Sequence, residues 1–169
     1  MAVPAALKAL AGEWQGVSRL WLSPETPVRE SESTADISLL ACERFLEIRY
    51  TWAEEGKPQE GMIMLGMASE QDLADAVWID SWHMGDVMML CEGPVEKTGS
   101  FSVKGAYAVP PGPDWGWRIT LIPDTEFAFR LVMHNISPEG EEVVAVEARY
   151  LRRRRRPQNP ILRSRLPHP

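Results

Sequence analysis

The residue types best suited to binding or catalysis are concentrated in one strand-like segment, residues 76–84, which reads AVWIDSWHM. Strand alternation places Trp78, Asp80 and Trp82 on one face of this segment and His83 on the other. An unpaired carboxylate is costly to bury, so we expect Asp80 to be paired with Arg118 or with an indole N–H. The pattern fits a core network that fixes the strand register as well as it fits the wall of a ligand pocket.

Acidic residues in other strand-like segments are the second candidate for chemistry. Glu32 and Glu60 could meet Arg118 in a polar lumen if they point inward, and they belong to an ordinary soluble surface if they point outward. Carboxylates on adjacent strands can supply general acid–base catalysis. One hypothesis is therefore an enzyme that uses Asp80, Glu32 or Glu60 with Arg118 or His83 as partner. The sequence contains no GxSxG, Walker, HExxH or post-strand GxGxxG motif that would indicate a particular reaction.

These residues belong to a chain that reads as one strand after another. Helical periodicity is convincing only over Pro4–Leu10, and the irregular stretch Val109–Asp114 is too short for a Greek-key crossover. We therefore predict an all-β fold, a single up-and-down antiparallel β-barrel of about ten strands with a short N-terminal helix. The predicted strands are Trp14–Leu22, Val28–Ser38, Arg44–Ala53, Gln59–Met67, Ala74–His83, Val87–Gly93, Ser100–Ala108, Trp115–Ile122, Glu126–Ile136 and Glu142–Leu151.

The charge of the chain is divided between an acidic body and a basic tail. The 169 residues carry 24 acidic and 18 basic side chains. Seven of the basic side chains are arginines of residues 152–169, which contain no acid, so the body holds 11 basic groups and has a formal charge of −13. We predict a barrel domain over residues 1–151 and an arginine- and proline-rich flexible tail over residues 152–169.

The tail is the one part of the chain whose composition suits nucleic acid. Its five consecutive arginines could bind a phosphate backbone, lie against the acidic body or stay solvated. They are Arg152, Arg153, Arg154, Arg155 and Arg156. An adaptor that uses this tail for nucleic acid or a partner protein is therefore a further hypothesis.

Two features bear on the compartment. No run of about 18 apolar residues is present, so we expect no transmembrane segment, and the apolar N-terminus lacks the basic start of a signal peptide. Cys42 and Cys91 are far apart and have no CxxC spacing, which favours two free thiols over a disulfide. We predict a cytoplasmic protein.

Four short strings of the sequence resemble those of a known protein family. They are GEWQG at residues 12–16, IDSWHM at 79–84, GPDWGWR at 112–118 and NISPEGEEVVAVEARYLR at 135–152. Together they resemble a bacterial family of lipocalin-like, calycin-type β-barrels of unknown function, over about residues 10–152. The resemblance implies a barrel with a central cavity, in which Trp14 of the GxW string plugs the closed end and Gly12 lets a neighbouring segment approach closely.

More distantly, a barrel that opens with GxW is similar to the nitrobindin-type haem-binding barrels. Those barrels use a histidine near the end of the barrel as the iron ligand. The last predicted strand here ends in Arg149, Tyr150 and Leu151, so His134 would have to replace the missing ligand. We predict no cofactor and no metal, with haem on His134 as an alternative.

The leading hypothesis is a binding module, a cytoplasmic barrel that holds a small and partly apolar ligand. Aromatic side chains would supply the apolar contacts, and a few charged groups would orient the ligand. The candidate ligand-binding residues are Trp21, Glu32, Glu60, Trp78, Asp80, Trp82, Tyr107, Trp117 and Arg118. Strand parity prevents all of them from facing one cavity. The oligomeric state is open, with a homodimer as one alternative.

Overall fold

The computed structural model describes residues 2–67 and 73–153 and contains one short helix and ten strands. The helix α1 (Ala5–Lys8) lies inside the segment predicted to be helical. The strands are β1 (Gly12–Leu20), β2 (Arg29–Leu40), β3 (Phe45–Glu54), β4 (Lys57–Met67), β5 (Leu73–Asp80), β6 (Met89–Pro94), β7 (Phe101–Tyr107), β8 (Trp115–Thr125), β9 (Ala128–Ile136) and β10 (Glu142–Arg152). In the described ranges, no helix has the length and apolar character needed to cross a membrane.

The ten strands form one closed sheet. Each strand pairs with its neighbour in the chain, and β1 also pairs with β10, so that the sheet closes into a barrel. All of these pairings are antiparallel. The predicted all-β, up-and-down barrel with a short N-terminal helix is confirmed.

The two ends of the barrel are built differently. α1 lies across one end, which we call the helix end, and the Val3 N–H donates there to the Glu43 carbonyl oxygen at 3.2 Å. The opposite end, which we call the mouth, is bounded by loops 21–28, 55–56, 81–88, 108–114 and 137–141. The last residue of β5, Asp80, therefore lies at the mouth.

Strand alternation directs large side chains into the barrel. In β3, Leu46, Ile48, Tyr50 and Trp52 share one parity, and all four are buried. The other strands follow the same rule, so the interior is filled by leucine, isoleucine and aromatic side chains. The barrel interior is therefore a packed core over most of its length.

Trp14 plugs the helix end, as the resemblance implied. Its indole N–H donates to the Leu10 carbonyl oxygen at 2.9 Å, and its ring lies edge-to-face with the Phe129 ring at a centroid distance of 4.8 Å. The guanidinium of Arg152 lies 4.2 Å from the centre of the Trp14 ring. That guanidinium also donates to the carbonyl oxygens of Ala9, Ala11 and Glu126. A basic residue thus closes this end of the barrel.

Arg152 belongs to the barrel, one residue beyond the predicted boundary at residue 151. It is the last residue of β10 and pairs with Trp14 of β1. The Arg153 N–H also donates to the Glu13 carbonyl oxygen at 2.9 Å. The remaining arginines of the predicted run, Arg154, Arg155 and Arg156, lie outside the described residues, as does the rest of the predicted tail.

Candidate functional site

Asp80 ends β5 and turns the chain at the mouth. Its Oδ1 accepts hydrogen bonds from the backbone N–H groups of Trp82 at 3.0 Å and His83 at 2.9 Å. A short carboxylate that bonds backbone groups two and three residues ahead competes with strand continuation. The alternation predicted through residue 83 therefore fails: the His83 side chain is 12% exposed and turns inward, whereas Trp82 is 41% exposed at the rim.

The buried carboxylate of Asp80 receives three further hydrogen bonds from side chains. The Tyr50 hydroxyl and the Trp52 indole N–H donate to Oδ2 at 2.9 and 3.2 Å, and His83 Nδ1 lies 3.0 Å from Oδ1. The predicted pairing of Asp80 with an indole N–H is therefore confirmed, with Trp52 as the donor. Arg118, the other predicted partner, lies on the outer face and pairs with Glu142 at 2.6 Å.

These contacts keep Asp80 ionised and Tyr50 protonated. Burial alone would raise the pKa of Asp80, but the hydrogen bond and charge of His83, together with the backbone N–H groups, hold that pKa below its ordinary value. Burial and the neighbouring Asp80 charge raise the pKa of Tyr50 well above its ordinary value. Since an ionised carboxylate can only accept, the hydrogen of His83 lies on Nδ1.

Four tryptophan rings surround the His83 imidazole. The ring centroids of Trp52, Trp78, Trp82 and Trp117 lie 5.4, 5.7, 4.7 and 5.4 Å from that of His83. Trp78 and Trp117 stack on each other at 5.3 Å. We call these five residues the aromatic cage. It gives the mouth a rigid apolar wall with one titratable side chain at its centre.

Tyr107 extends the cage on the side of β7. Its ring meets Trp117 at a centroid distance of 6.5 Å, and its hydroxyl donates to Asn135 Oδ1 at 2.7 Å. Of the predicted ligand-binding residues, the structure therefore brings together Trp78, Asp80, Trp82, Tyr107 and Trp117 at the mouth.

A small cavity lies just inside the mouth beside the cage. Its volume is about 10 Å³, room for about one water molecule. Asp80, His83, Tyr50 and Trp52 form one side of it, and Ser18, Leu20, Leu131, Met133, Val146, Ala148 and Tyr150 form the rest. The resemblance implied a central cavity, but large core side chains fill most of the described barrel interior, and this pocket is small.

Two nitrogen atoms of the cage are buried and have no hydrogen-bond partner among the described residues. They are His83 Nε2 and Trp117 Nε1. A buried polar atom without a partner costs about 1–3 kcal/mol, so most proteins avoid leaving one. Since His83 Nδ1 is bonded to Asp80, Nε2 is the ring atom left for a further partner, and the indole N–H of Trp117 is a donor.

The loops around the mouth are apolar and acidic. Exposed apolar side chains form a rim there, consisting of Leu22, Val28, Trp82, Val87, Met88 and Val109. The same five loops carry six carboxylates and no lysine or arginine. The carboxylates are those of Glu25, Glu55, Asp86, Asp114, Glu139 and Glu141. One of these carboxylates, Glu55, lies 3.3 Å from the Arg29 guanidinium at the start of β2. Apolar side chains and carboxylates thus meet at the entrance.

Of the nine predicted ligand-binding residues, Asp80 lines this cavity. Four others belong neither to the cavity lining nor to the aromatic cage and its extension at Tyr107. Glu32 and Glu60 are exposed on the outer face, because their strand parity is opposite to that of the buried residues. Arg118 is outward for the same reason, since its neighbours Trp117 and Ile119 are the buried ones. Trp21 follows β1 in a mouth loop, where its N–H donates to the Ala145 carbonyl oxygen at 2.9 Å. The hypothesis that Glu32 and Glu60 lie together in a polar lumen is therefore wrong.

The residues do not fit a haem. His134 lies on the outer face, paired in register with Arg118, whereas a haem ligand needs an imidazole that faces an apolar cavity. His83 faces inward, but the four indole rings within 6 Å of it and a cavity of about 10 Å³ leave no space for a porphyrin.

Comparison with known proteins gives a family and a fold. The model of a family described as "Protein of unknown function (DUF1579)" matches residues 3–152. No curated protein matches the chain. The barrel is similar to the S-type phycobiliprotein lyase CPES from Guillardia theta, with a TM-score of 0.64 and 13% identity over 92% of this chain and 95% of that one. It is also similar to Rv2717c from M. tuberculosis, with a TM-score of 0.61 and 14% identity over 90% of this chain and 99% of that one.

Proposed function

Because the chain belongs to the DUF1579 family of proteins of unknown function, we propose its function from the site itself. The barrel binds a small, partly apolar ligand at its mouth. The ligand's apolar body lies against the rim and Trp82, and a small polar head enters the cavity beside His83. Ligand sites commonly combine apolar walls with a few placed polar groups.

The observation that carries this proposal is the pair of buried, unpaired nitrogens in the aromatic cage. His83 Nε2 and Trp117 Nε1 belong to rings whose centroids are 5.4 Å apart. A ligand group that hydrogen-bonds to either atom would remove the cost of leaving it unpaired. The exposed apolar rim directly outside supplies a surface for the rest of the ligand.

Titration with Nile red, a neutral apolar dye whose fluorescence rises on binding, tests the proposal. We expect Trp82→Ala to weaken dye binding about tenfold, since aromatic anchors at the centre of a contact contribute most to affinity. The matched control is Phe127→Ala, because Phe127 is 59% exposed at the helix end. Phe127→Ala should bind the dye as the wild type does. Equal binding by wild type and Trp82→Ala would contradict the proposal, as would loss of binding in Phe127→Ala.

An enzyme is the second candidate function, and the Asp80–His83 pair favours it. A carboxylate on Nδ1 with a free Nε2 is an arrangement that activates a histidine as general base. Of the predicted catalytic carboxylates, only Asp80 has a histidine beside it, whereas Glu32 and Glu60 face outward. Turnover of a p-nitrophenyl ester that is lost in His83→Gln would support this candidate, and no turnover by the wild type would oppose it.

Two further expectations accompany the proposed binding function. We propose a cytoplasmic location, supported by Cys42 and Cys91, which are both free thiols. A bacterial source and a homodimer stay predictions from the sequence. Binding of nucleic acid through the tail also stays a prediction, and Arg152 is already engaged at the helix end.

A further inference from the structure

A strip of apolar side chains crosses the outer face of the barrel on β4, β5 and the start of β6. We call it the outer strip, and its members are Met62, Met64, Val77, Ile79, Met88 and Leu90. Met88 and Leu90 are 67% and 75% exposed. The four members on β4 and β5 are partly exposed, because their strand parity points them away from the core. Contiguous apolar side chains on the outside of a folded domain indicate a contact surface.

We propose that the outer strip is the interface of a homodimer, in which a second copy of this chain packs on it across a two-fold axis. The dimer does not depend on the proposed binding function. It is supported by the contrast between the outer strip and the rest of the outer face, by the order of the side chains within the strip and by the charges at its edge.

Elsewhere the outer face carries ion pairs. They are Arg19–Glu30, Arg118–Glu142, Arg130–Asp124 and Arg149–Glu147. Leu151 of β10 is 63% exposed, but Arg149 and Arg153 are its neighbours along the same face of the strand. In the outer strip, by contrast, apolar side chains are neighbours of one another on adjacent strands.

Strand pairing arranges the outer strip in two rows that run across the strands. In the row nearer the mouth, Met62 pairs with Ile79. In the row nearer the helix end, Met64 pairs with Val77, and Val77 pairs with Leu90. Both rows are therefore apolar on the same strands, so that one row can cover the other.

The two rows make the outer strip self-complementary. In a two-fold dimer, residue i contacts residue j of the second copy, and j contacts i. An axis that lies in the contact plane, runs across the strands and passes between the two rows sets each row on the other row of the second copy. Met62 then lies on Met64 of the second copy, and Ile79 lies on its Val77. Sheets pack face to face with aligned strands in this way in β-sandwiches.

The charges on β3 fit the same axis. Arg49 pairs with Met62 and continues the first row, and Glu47 pairs with Met64 and continues the second. The axis therefore sets Arg49 of each copy against Glu47 of the other. The Arg49 side chain is 70% exposed and lies 3.1 Å from its own Glu47, so a second carboxylate can join this pair. This charge complementarity favours a second copy over an unrelated apolar partner.

The positions beyond the two rows limit the size of the contact. The axis sets Glu60, on the mouth side, against Gly66 of the second copy, and Ser81 against its Asp75, so like charges do not meet on β4 or β5. On β6, Glu92 follows Leu90, where the convex wall of the barrel turns away from the contact. A contact of about three strands is small, and we expect a dissociation constant of about 10 µM.

Sedimentation velocity of the full chain from about 2 to about 200 µM tests this proposal. We expect the wild type to dimerise over this range. Leu90→Glu should raise the dissociation constant about tenfold or more, since it places an unpaired charge in an apolar contact. Because Leu90 is 75% exposed, this substitution should leave the fold intact. The matched control is Leu151→Glu on the opposite side of the barrel, which should dimerise as the wild type does.

A charge exchange on β3 tests the two-fold axis itself. Arg49→Glu should weaken the dimer, because it sets a carboxylate against Glu47 of the second copy. Adding Glu47→Arg to the same chain should restore the dimer, because opposite charges then face each other again. Failure of the double variant to dimerise better than Arg49→Glu would overturn the proposed arrangement.

The salt dependence separates the outer strip from the arginine-rich tail. Each copy carries a net charge of −6, so an apolar contact should persist in about 0.5 M sodium chloride, which screens the repulsion between copies. Association that is lost in this salt and in a chain ending at Arg153 would assign the contact to the tail and overturn the proposal. A full chain that stays monomeric at about 200 µM would also overturn it, as would equal dimerisation of Leu90→Glu and Leu151→Glu.

The dimer and the binding function can fail separately. Because the axis sets each strand antiparallel to its own copy, the two mouths open at opposite ends of the dimer and both stay accessible. Leu90→Glu should therefore bind Nile red as the wild type does. Loss of dye binding in this variant would contradict an interface that leaves the mouths open.

Discussion

At the scale of single residues, Asp80 organises the candidate site. One carboxylate ends β5, holds the His83 ring by Nδ1 and receives the Tyr50 hydroxyl and the Trp52 indole. The Trp78 indole N–H in turn donates to the Tyr50 hydroxyl at 2.8 Å. Ionised groups make stronger hydrogen bonds than neutral ones, so this network fixes the cage before any ligand arrives.

Asp80→Asn should destabilise the barrel by about 3 kcal/mol, because an amide turns a donor toward N–H groups that the carboxylate satisfies. The pKa of Asp80 is lowered from its ordinary value of 3.8, so its contribution is present above that value and is lost as the pH falls through the lower folded pKa. The free energies of unfolding of the two proteins, measured with urea from pH 7 to pH 3, should therefore converge only in acid. A difference that stays constant to the lowest pH would contradict this account.

At the scale of elements, strand alternation predicts most of the interior but not the site. The parity of Leu46, Ile48, Tyr50 and Trp52 is visible in the sequence and is enough to place Tyr50 and Trp52 inside the barrel. That signal also identifies two partners of Asp80 that were not among the predicted ligand-binding residues. Within β4, β5 and β8 the same rule separates inward from outward positions correctly.

The orientation of His83 could not be predicted in the same way. Alternation continued through residue 83 gives His83 and Trp82 the wrong faces, because it assumes that β5 extends past Asp80. The strand ends at Asp80 because the side chain accepts two backbone N–H groups ahead of it. Whether an aspartate does this depends on the space and partners around its carboxylate, which only the closed barrel supplies.

The closure of the sheet between β1 and β10 depends on Gly16. Gly16 pairs with Tyr150, and a Cβ at this position would lie 1.9 Å from the Arg149 carbonyl oxygen. Gly16→Ala should therefore destabilise the barrel by about 3 kcal/mol, since backbone cannot move aside as a flexible side chain can. Gly112→Ala is the control, because its Cβ would approach Val109 no closer than 3.4 Å. Urea denaturation of both variants measures the difference, and equal stabilities would contradict this role of Gly16.

At the scale of the whole molecule, one end of the barrel is sealed and the other end carries the candidate site. Trp14, α1 and Arg152 seal the helix end, while the mouth holds the unpaired nitrogens, the apolar rim and the acidic loops. The negative charge predicted for the body is thus concentrated in part where a ligand would enter. Composition alone predicts an acidic body, and only the closed fold shows which acids share the mouth.

The position of Arg152 predicts where the chain can be shortened. A chain that ends at Arg153 should keep its stability, because it retains the guanidinium on Trp14 and its three carbonyl partners. A chain that ends at Leu151 should have a free energy of unfolding lower by about 3 kcal/mol, because this truncation removes the Arg152 guanidinium and its several hydrogen bonds. Urea denaturation of the two chains measures this, and equal stability would show that Arg152 does not close the barrel.

The central claim is that a small ligand binds beside His83 at the mouth, and histidine-ring ¹⁵N NMR tests it most directly. His83 and His134 lie on opposite faces of the barrel wall, so His134 serves as the internal control. Addition of 1-octanol, a small and partly apolar probe, should shift the ring ¹⁵N signals of His83, which lines the cavity, and leave those of His134 unchanged. A His83 signal that does not move at saturating 1-octanol, or a shift only at His134, would contradict the claim.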